Sequence, residues 1–201
     1  MTTLPYKELL SGDRPFKSLV AGKKQRAGRN ADGRITTRHQ GGGHKKRFRD
    51  VDFKYDKKNV PARVETVEYD PYRTGFVSRV IYADGERRYV LAPKDLKVGD
   101  NFIVSEDAPV TVGNRLPLGK IPTGTFVYNI ELQVGAGARL VRSAGNYAEV
   151  IAHDAGYAQV KLPSTEVRKV SDLCWASIGA VGNEESRLVN FGKAGRSRWM
   201  G

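Results

Sequence analysis

The chain has 201 residues, a formal charge of +12 and 39% hydrophobic residues, enough for one large domain or two small ones. A single cysteine, Cys174, excludes an internal disulfide and a cysteine-based zinc site, and no apolar run approaches the roughly 20 residues of a membrane-spanning helix. The opening MTTLPYKELLSGDRPF lacks the basic-then-apolar order of a secretory signal, so a reducing, cytoplasm-like compartment is expected.

Charge is distributed unevenly. Residues 1–60 carry sixteen Lys/Arg against six Asp/Glu, residues 61–180 carry fourteen of each, and residues 181–201 carry four against two. Lys23, Lys24, Arg26 and Arg29 lead into the stretch GRITTRHQGGGHKKRFR at 33–49, which holds Arg34, Arg38, Lys45, Lys46, Arg47 and Arg49 and no acid. Its only large hydrophobes are Ile35 and Phe48, too few to offset the entropy of ordering the backbone. Such an arm is expected to fold against a strongly negative partner, and RNA fits best. It lacks the Leu/Trp/Phe face that membrane-surface helices use, so no membrane partner is expected. Gly41, Gly42 and Gly43 let the main chain approach a surface closely, with N–H groups free for anionic oxygens. His39 and His44 flank them without nearby Cys, Asp or Glu to complete a metal site, and imidazole bonding to phosphate or stacking on a base fits better.

From residue 50 onward short β-type runs alternate with turn signals. Val51, Phe53 and Tyr55 alternate with polar residues, and strands are predicted near 64–69, 76–82, 88–91 and 102–104. Asp84-Gly85 predicts a two-residue hairpin loop. Between Gly113 and Gly124 glycines and prolines predict an irregular junction between domains. A second series follows near 125–132, 138–142, 147–152, 157–162 and 165–170. Strands at this spacing predict an all-β protein of barrels or sandwiches, with short helices at most. The expected division is an arm at 1–45, one barrel at 46–115, a second at 116–192 and an extension from 193. Each half is marginal alone, so the barrels are expected to pack together.

Several constellations invite a chemical reading. Arg73 and Arg142 each end a predicted strand, where binding residues concentrate, although spacing alone fits ordinary surface arginines as well. Arg87 and Arg88 fit the solvent face of a strand just as well, and they are counted with the expected RNA contacts. Ser143, His153 and Asp154 could be drawn as a hydrolase triad, but no nucleophile elbow or oxyanion turn accompanies them, so no enzyme is expected. Cys174-Trp175 is expected to pack in the second barrel.

The segments GRITTRHQGGGHKKRFR, VEYDPYR (67–73), DGERRYVLAPK (84–94), GNRLPLGKIPTGT (113–125), RSAGNYA (142–148) and GKAGRSRWMG (192–201) resemble, in order, the family of the second protein of the large ribosomal subunit, in its bacterial form. The resemblance runs from about residue 30 to the last. It implies an OB-like barrel followed by an SH3-like barrel, and binding to large-subunit ribosomal RNA. It further implies an arginine gate between the barrels, corresponding to Arg73 and Arg142, and RNA contacts from Lys193, Arg196, Arg198 and Trp199. Roles in subunit association, transfer-RNA binding and assembly of the peptidyl-transferase region follow, with other ribosomal proteins and the small subunit at the intersubunit bridge as partners. No cofactor is expected apart from Mg2+ brought by the RNA, and no homo-oligomer. The expected location is a ribosome, cytoplasmic or organellar. The family's long basic C-terminal extension, with its histidine, has no counterpart in these residues, so its role is not carried over. A free translation factor or RNA chaperone built on the same barrels is the alternative.

Overall fold

The computed structural model describes residues 4–11 and 14–201. Among them α-helix is confined to α1 (Tyr6–Leu9) and α2 (Ala194–Met200), and the body is β-sheet. In the first half, β3 (Ala62–Glu68), β4 (Val77–Tyr82), β5 (Arg87–Leu91) and β6 (Asn101–Phe102) form an antiparallel sheet ordered β5-β4-β3-β6. Period-2 alternation builds it: Ala62, Val64, Val80, Tyr82 and Val90 point inward with Phe76 and Phe102, while Arg63 faces solvent. In the second half, β7 (Arg115–Pro117), β8 (Phe126–Tyr128), β11 (Ala148–Asp154), β12 (Tyr157–Lys161), β13 (Val167–Ser171) and β14 (Trp175–Ile178) form a sheet ordered β13-β12-β11-β8-β14-β7. A ribbon of β9 (Ile130–Glu131) and β10 (Ala138–Leu140) adjoins it. The chain is all-β, an OB-like followed by an SH3-like unit.

Several local expectations need correction. The Asp84-Gly85 hairpin has a three-residue loop: Tyr82 N–H donates to Glu86 O (2.9 Å), and Gly85 takes a φ of 84°. Glycine is required there because a side chain disfavours that left-handed conformation. The two-residue loop lies instead at Ala155-Gly156, between the paired Asp154 and Tyr157. Val51–Tyr55 is not a strand. Val51 makes a single bridge to Tyr89, and Tyr55 turns inward at a φ of 54°. Nor is Gly113–Gly124 irregular throughout, because β7 pairs with β14 and a 3-10 turn follows at Leu118–Lys120. Leu116, Leu118 and Ile121 from this stretch enter the second core.

The two units share their interior. Cys174 packs in the second core, but Trp175 crosses into the first, contrary to the expectation that both would stay together. Leu91 of the first unit packs with Tyr128 and Val181 of the second. At the centre lies Arg115, 1% exposed, ion-paired to Glu131 (3.1 Å). Its guanidinium also donates to Asn129 O (2.6 Å) and Trp175 O (3.3 Å) and stacks 4.6 Å from the Tyr55 ring. Asn129 in turn donates to Tyr55 Oη (2.8 Å). One cation on β7 thereby binds two further second-unit segments, 129–131 and β14, to a first-unit aromatic. Its burial is tolerated because its charge and donors are satisfied.

The N-terminal segment is laid on the first unit before any arm begins. Leu4 is buried, the Tyr6 ring packs edge-on against Tyr69, and Ser11 exchanges two hydrogen bonds with Val67 (2.7 and 3.1 Å). Phe16 N–H donates to the Tyr89 hydroxyl (2.8 Å), which donates to Glu68 Oε2 (2.7 Å), while Arg79 and Arg87 lie over the Phe16 ring. Strand β1 (Val20–Gly22) then pairs antiparallel with β2 (Arg47–Arg49). Among the described residues of this half, 23–46 project, as a loop closed at its base.

Candidate nucleic-acid interface

The projecting loop is almost wholly exposed and contains no strand or helix. Its tip is a turn in which Asn30 N–H donates to Arg34 O (3.0 Å) and Arg34 N–H to Asn30 Oδ1 (2.9 Å). His39, Gly41 and Gly42 all have positive φ, so the chain folds back through the glycines. Gly43 has a different task. A Cβ there would fall 2.6 Å from the backbone of Gly201, so α2 can approach only because residue 43 is glycine. His44 N–H donates to Trp199 O (2.8 Å) and Lys46 Nζ to Met200 O (3.0 Å). The two basic extensions of the sequence therefore meet, with Lys193, Arg198 and the ring of Trp199 exposed and Arg196 half-buried beside them.

Ion pairing separates spectators from free cations. Arg87 shares Glu65 with Arg79, and Arg88 is enclosed by Asp52, Asp56 and Glu86. Lys57, Lys94, Lys120, Arg168 and Lys169 also face carboxylates. The arginine bonds to Glu65 hold its carboxyl below the usual glutamate range. In contrast, Lys23, Lys24, Arg26, Arg29, Arg34, Arg38, Lys45, Lys46 and Arg47 have no ion-pair partner among the described residues. Arg49 is buried at the arm's base and donates to Arg47 O (3.0 Å). The densest run of unneutralised charge among the described residues is therefore the arm.

The second concentration is at the seam between the units. Buried Asp70 accepts from Tyr72 N–H (2.9 Å) and from Arg73 Nε (2.5 Å), which fixes the DPYR turn. Thr74 Oγ1 accepts from Ala144 N–H (3.1 Å), and Thr74 O from the Asn183 amide (2.6 Å), tying that turn to the RSAG loop. The two arginines thereby converge on Phe53, with Arg73 5.4 Å and Arg142 4.6 Å from the ring centroid. Phe53 is itself pinned by Ala138 N–H donating to its carbonyl (2.7 Å). Arg142 forms no ion pair among the described residues, only a 3.5 Å contact to Ala138 O. Partial burial, then the nearby Arg73 and Arg139 cations, lower its pKa, and it stays fully charged at neutral pH.

The sequence reading named both arginines but not Phe53, which looked like one more strand residue. It also missed Tyr72, whose ring packs edge-on to Phe48 (5.5 Å) with Lys23 above both. An aromatic between Pro71 and Arg73 was the available signal. Of the drawn triad, His153 faces Asp172 (3.2 Å) and Ile121 O (2.9 Å), within a hairpin end.

Residues 16–105 match the family described as Ribosomal Proteins L2, RNA binding N-terminal domain, and residues 111–201 match Ribosomal Proteins L2, C-terminal domain. The chain belongs to the ribosomal protein L2 family, a structural family of the large ribosomal subunit whose N-terminal domain binds RNA. Ribosomal RNA and other ribosomal proteins are its partners by that membership, and the ribosome is its location.

Proposed function

We propose that the chain is a permanent architectural component of the large subunit, gripping ribosomal RNA with the 23–46 loop, with α2 and with the Arg73–Phe53–Arg142 gate. The carrying observation is the contrast in ion pairing: nine of the fourteen Lys/Arg at 61–180 face carboxylates, whereas the nine cations of residues 23–47 have none among the described residues, and neither does Arg142 at the seam. Lys193, Arg198 and Trp199 extend the same surface. On this reading the protein acts by shaping RNA rather than by catalysis. Its support of subunit association, transfer-RNA binding and peptidyl-transferase assembly is indirect, through the RNA it orders and through small-subunit contacts at the intersubunit bridge. Mg2+ enters only with the RNA, and the chain works as a single copy without a membrane.

Co-sedimentation tests this. A permanent component stays with large subunits through a high-salt wash, and release at moderate salt would favour a transient factor. For isolated RNA, neutralising about 6–10 phosphates predicts an affinity loss of roughly 10³–10⁵ between ~50 and ~200 mM salt on the duplex-DNA scale.

A further inference from the structure

At the foot of the arm two cavities, of about 570 and 470 Å³, adjoin one another and share Lys23, Lys24, Gln25 and Tyr72 as walls. The first is completed by Arg26, Gln40 and the end of α2, the second by Gly22, Gly43, Lys45 and Lys46. We infer that this continuous cleft is a pocket for one unpaired, extruded nucleotide of the bound RNA, with its phosphate at the lysines and its base on Tyr72 beside the Gln25 and Gln40 amides. The inference rests on the RNA-interface reading and adds a mode of recognition to it.

Three features distinguish this cleft from a merely basic surface. Its four lysines and Arg26 form no ion pair among the described residues, so an anion finds their charge unspent. Second, side-chain amides stand on the wall of the first cavity. Amides donate and accept at once, which matches base edges and gives little advantage toward a phosphate chain. Third, the cleft has an aromatic wall. Tyr72 is held edge-on to Phe48, and buried Asp70 fixes the main chain of its turn, so the ring is already oriented when a base arrives. Lys23 lies 5.7 Å from the Tyr72 centroid and 5.1 Å from that of Phe48 in the free protein. Its flexible stem allows it to leave the ring for a phosphate as a base takes its place. A duplex presents stacked bases and cannot offer one to the ring; a single strand, bulge or loop can. The docking of α2 against Gly43 and His44 supplies the remaining wall and keeps the cleft open.

The test uses the full chain with two probes, a short single-stranded RNA and a blunt duplex of matched length, at one salt concentration. Tyr72→Leu should lose on the order of ten-fold in affinity for the single strand and leave the duplex unchanged, while Tyr72→Phe retains both. A 4-thiouridine in the single strand should cross-link to the peptide containing Tyr72. Equal loss on both probes, or no loss on either, would overturn the pocket. The combined Lys23→Gln and Lys46→Gln substitution should weaken both probes. Unchanged binding of both would sink the RNA-interface reading itself, an outcome distinct from failure at Tyr72 alone.

Discussion

Arg73 and Arg142 share one phenyl ring, though their sequence positions belong to different folding units. They are not equivalent. Asp70 holds one edge of Arg73, whereas Arg142 has no carboxylate to hold it among the described residues. The planar fork of Arg142 is therefore the freer of the two to bind phosphate in a bidentate manner or to stack on a base.

From this asymmetry, Arg142→Lys should weaken RNA binding by about ten-fold and Arg73→Lys by less, since lysine keeps charge but loses the fork. The double variant should lose less than the product of the single losses, because both groups act at one place. Arg168→Lys, at an exposed pair with Glu166, is the control and should bind normally. Filter binding at fixed salt, with circular dichroism to confirm folding, measures all four. Normal affinity for Arg142→Lys would return it to an ordinary surface residue.

Arg115, by contrast, holds the two units together from within. Removing its guanidinium, as in Arg115→Met, leaves Glu131 buried at 2% exposure without its partner. A loss of ~3–5 kcal/mol is expected in urea unfolding. Adding Glu131→Gln should recover part of it, because a neutral amide needs no counter-charge. If both variants unfold at the wild-type midpoint, the pair is not the joint between the units.

Alkali should reveal the buried phenols. Burial pushes Tyr55 up to about 12, and burial together with the bond to Glu68 pushes Tyr89 up to about 12, from a usual 10.0. The folded state thus holds these protons more tightly than the unfolded chain. The associated stability is complete below pH 10 and is lost as pH rises from 10 toward 12, by ~2–3 kcal/mol for Tyr55 alone. Phenolate absorbance should lag behind that of exposed tyrosines and appear together with loss of β-sheet circular dichroism. Titration of every tyrosine near pH 10 with the sheet intact would contradict this.

Limited trypsinolysis of the free protein should cut within Lys23–Lys46, where exposure is high and packing sparse. The N-terminal piece should nevertheless stay with the body, held by Phe16 and Tyr89 and by the Ser11–Val67 bonds, and separate only in denaturant. Release of that piece under native conditions would mean that the segment before the arm is not docked.

Strand-rich halves and the exceptional arm were legible because period-2 alternation and uncompensated charge are local properties. Strand β14 was not, since Trp175–Ile178 is buried on every residue and shows no alternation. Arg115 could not be read as the joint because its partners lie at Asn129, Glu131 and Trp175, distances in sequence that composition cannot bridge. The glycine run was legible only in part. Positive φ at Gly41 and Gly42 fits a reversal of a chain seeking RNA, while Gly43 is needed by the protein's own C-terminal helix. Arg87 and Arg88 were counted with the RNA contacts, and most of the carboxylates around them come from strands and loops that the sequence could not bring together.

Because β1 and β2 are neighbouring strands, the loop leaves and re-enters the body about 5 Å apart. Such a doubled finger has no free end, so it cannot be passed through an RNA opening as a thread through a needle. An opening must admit two chains side by side, or the RNA must close after the finger is in place. Where the opening is too narrow for two chains, a three-residue ribbon thereby sets the order of assembly: the protein must join before its RNA surroundings finish folding. Added to preformed, fully compacted RNA, it should associate far more slowly than when both are annealed together, and cutting the finger once at its tip should remove most of that difference.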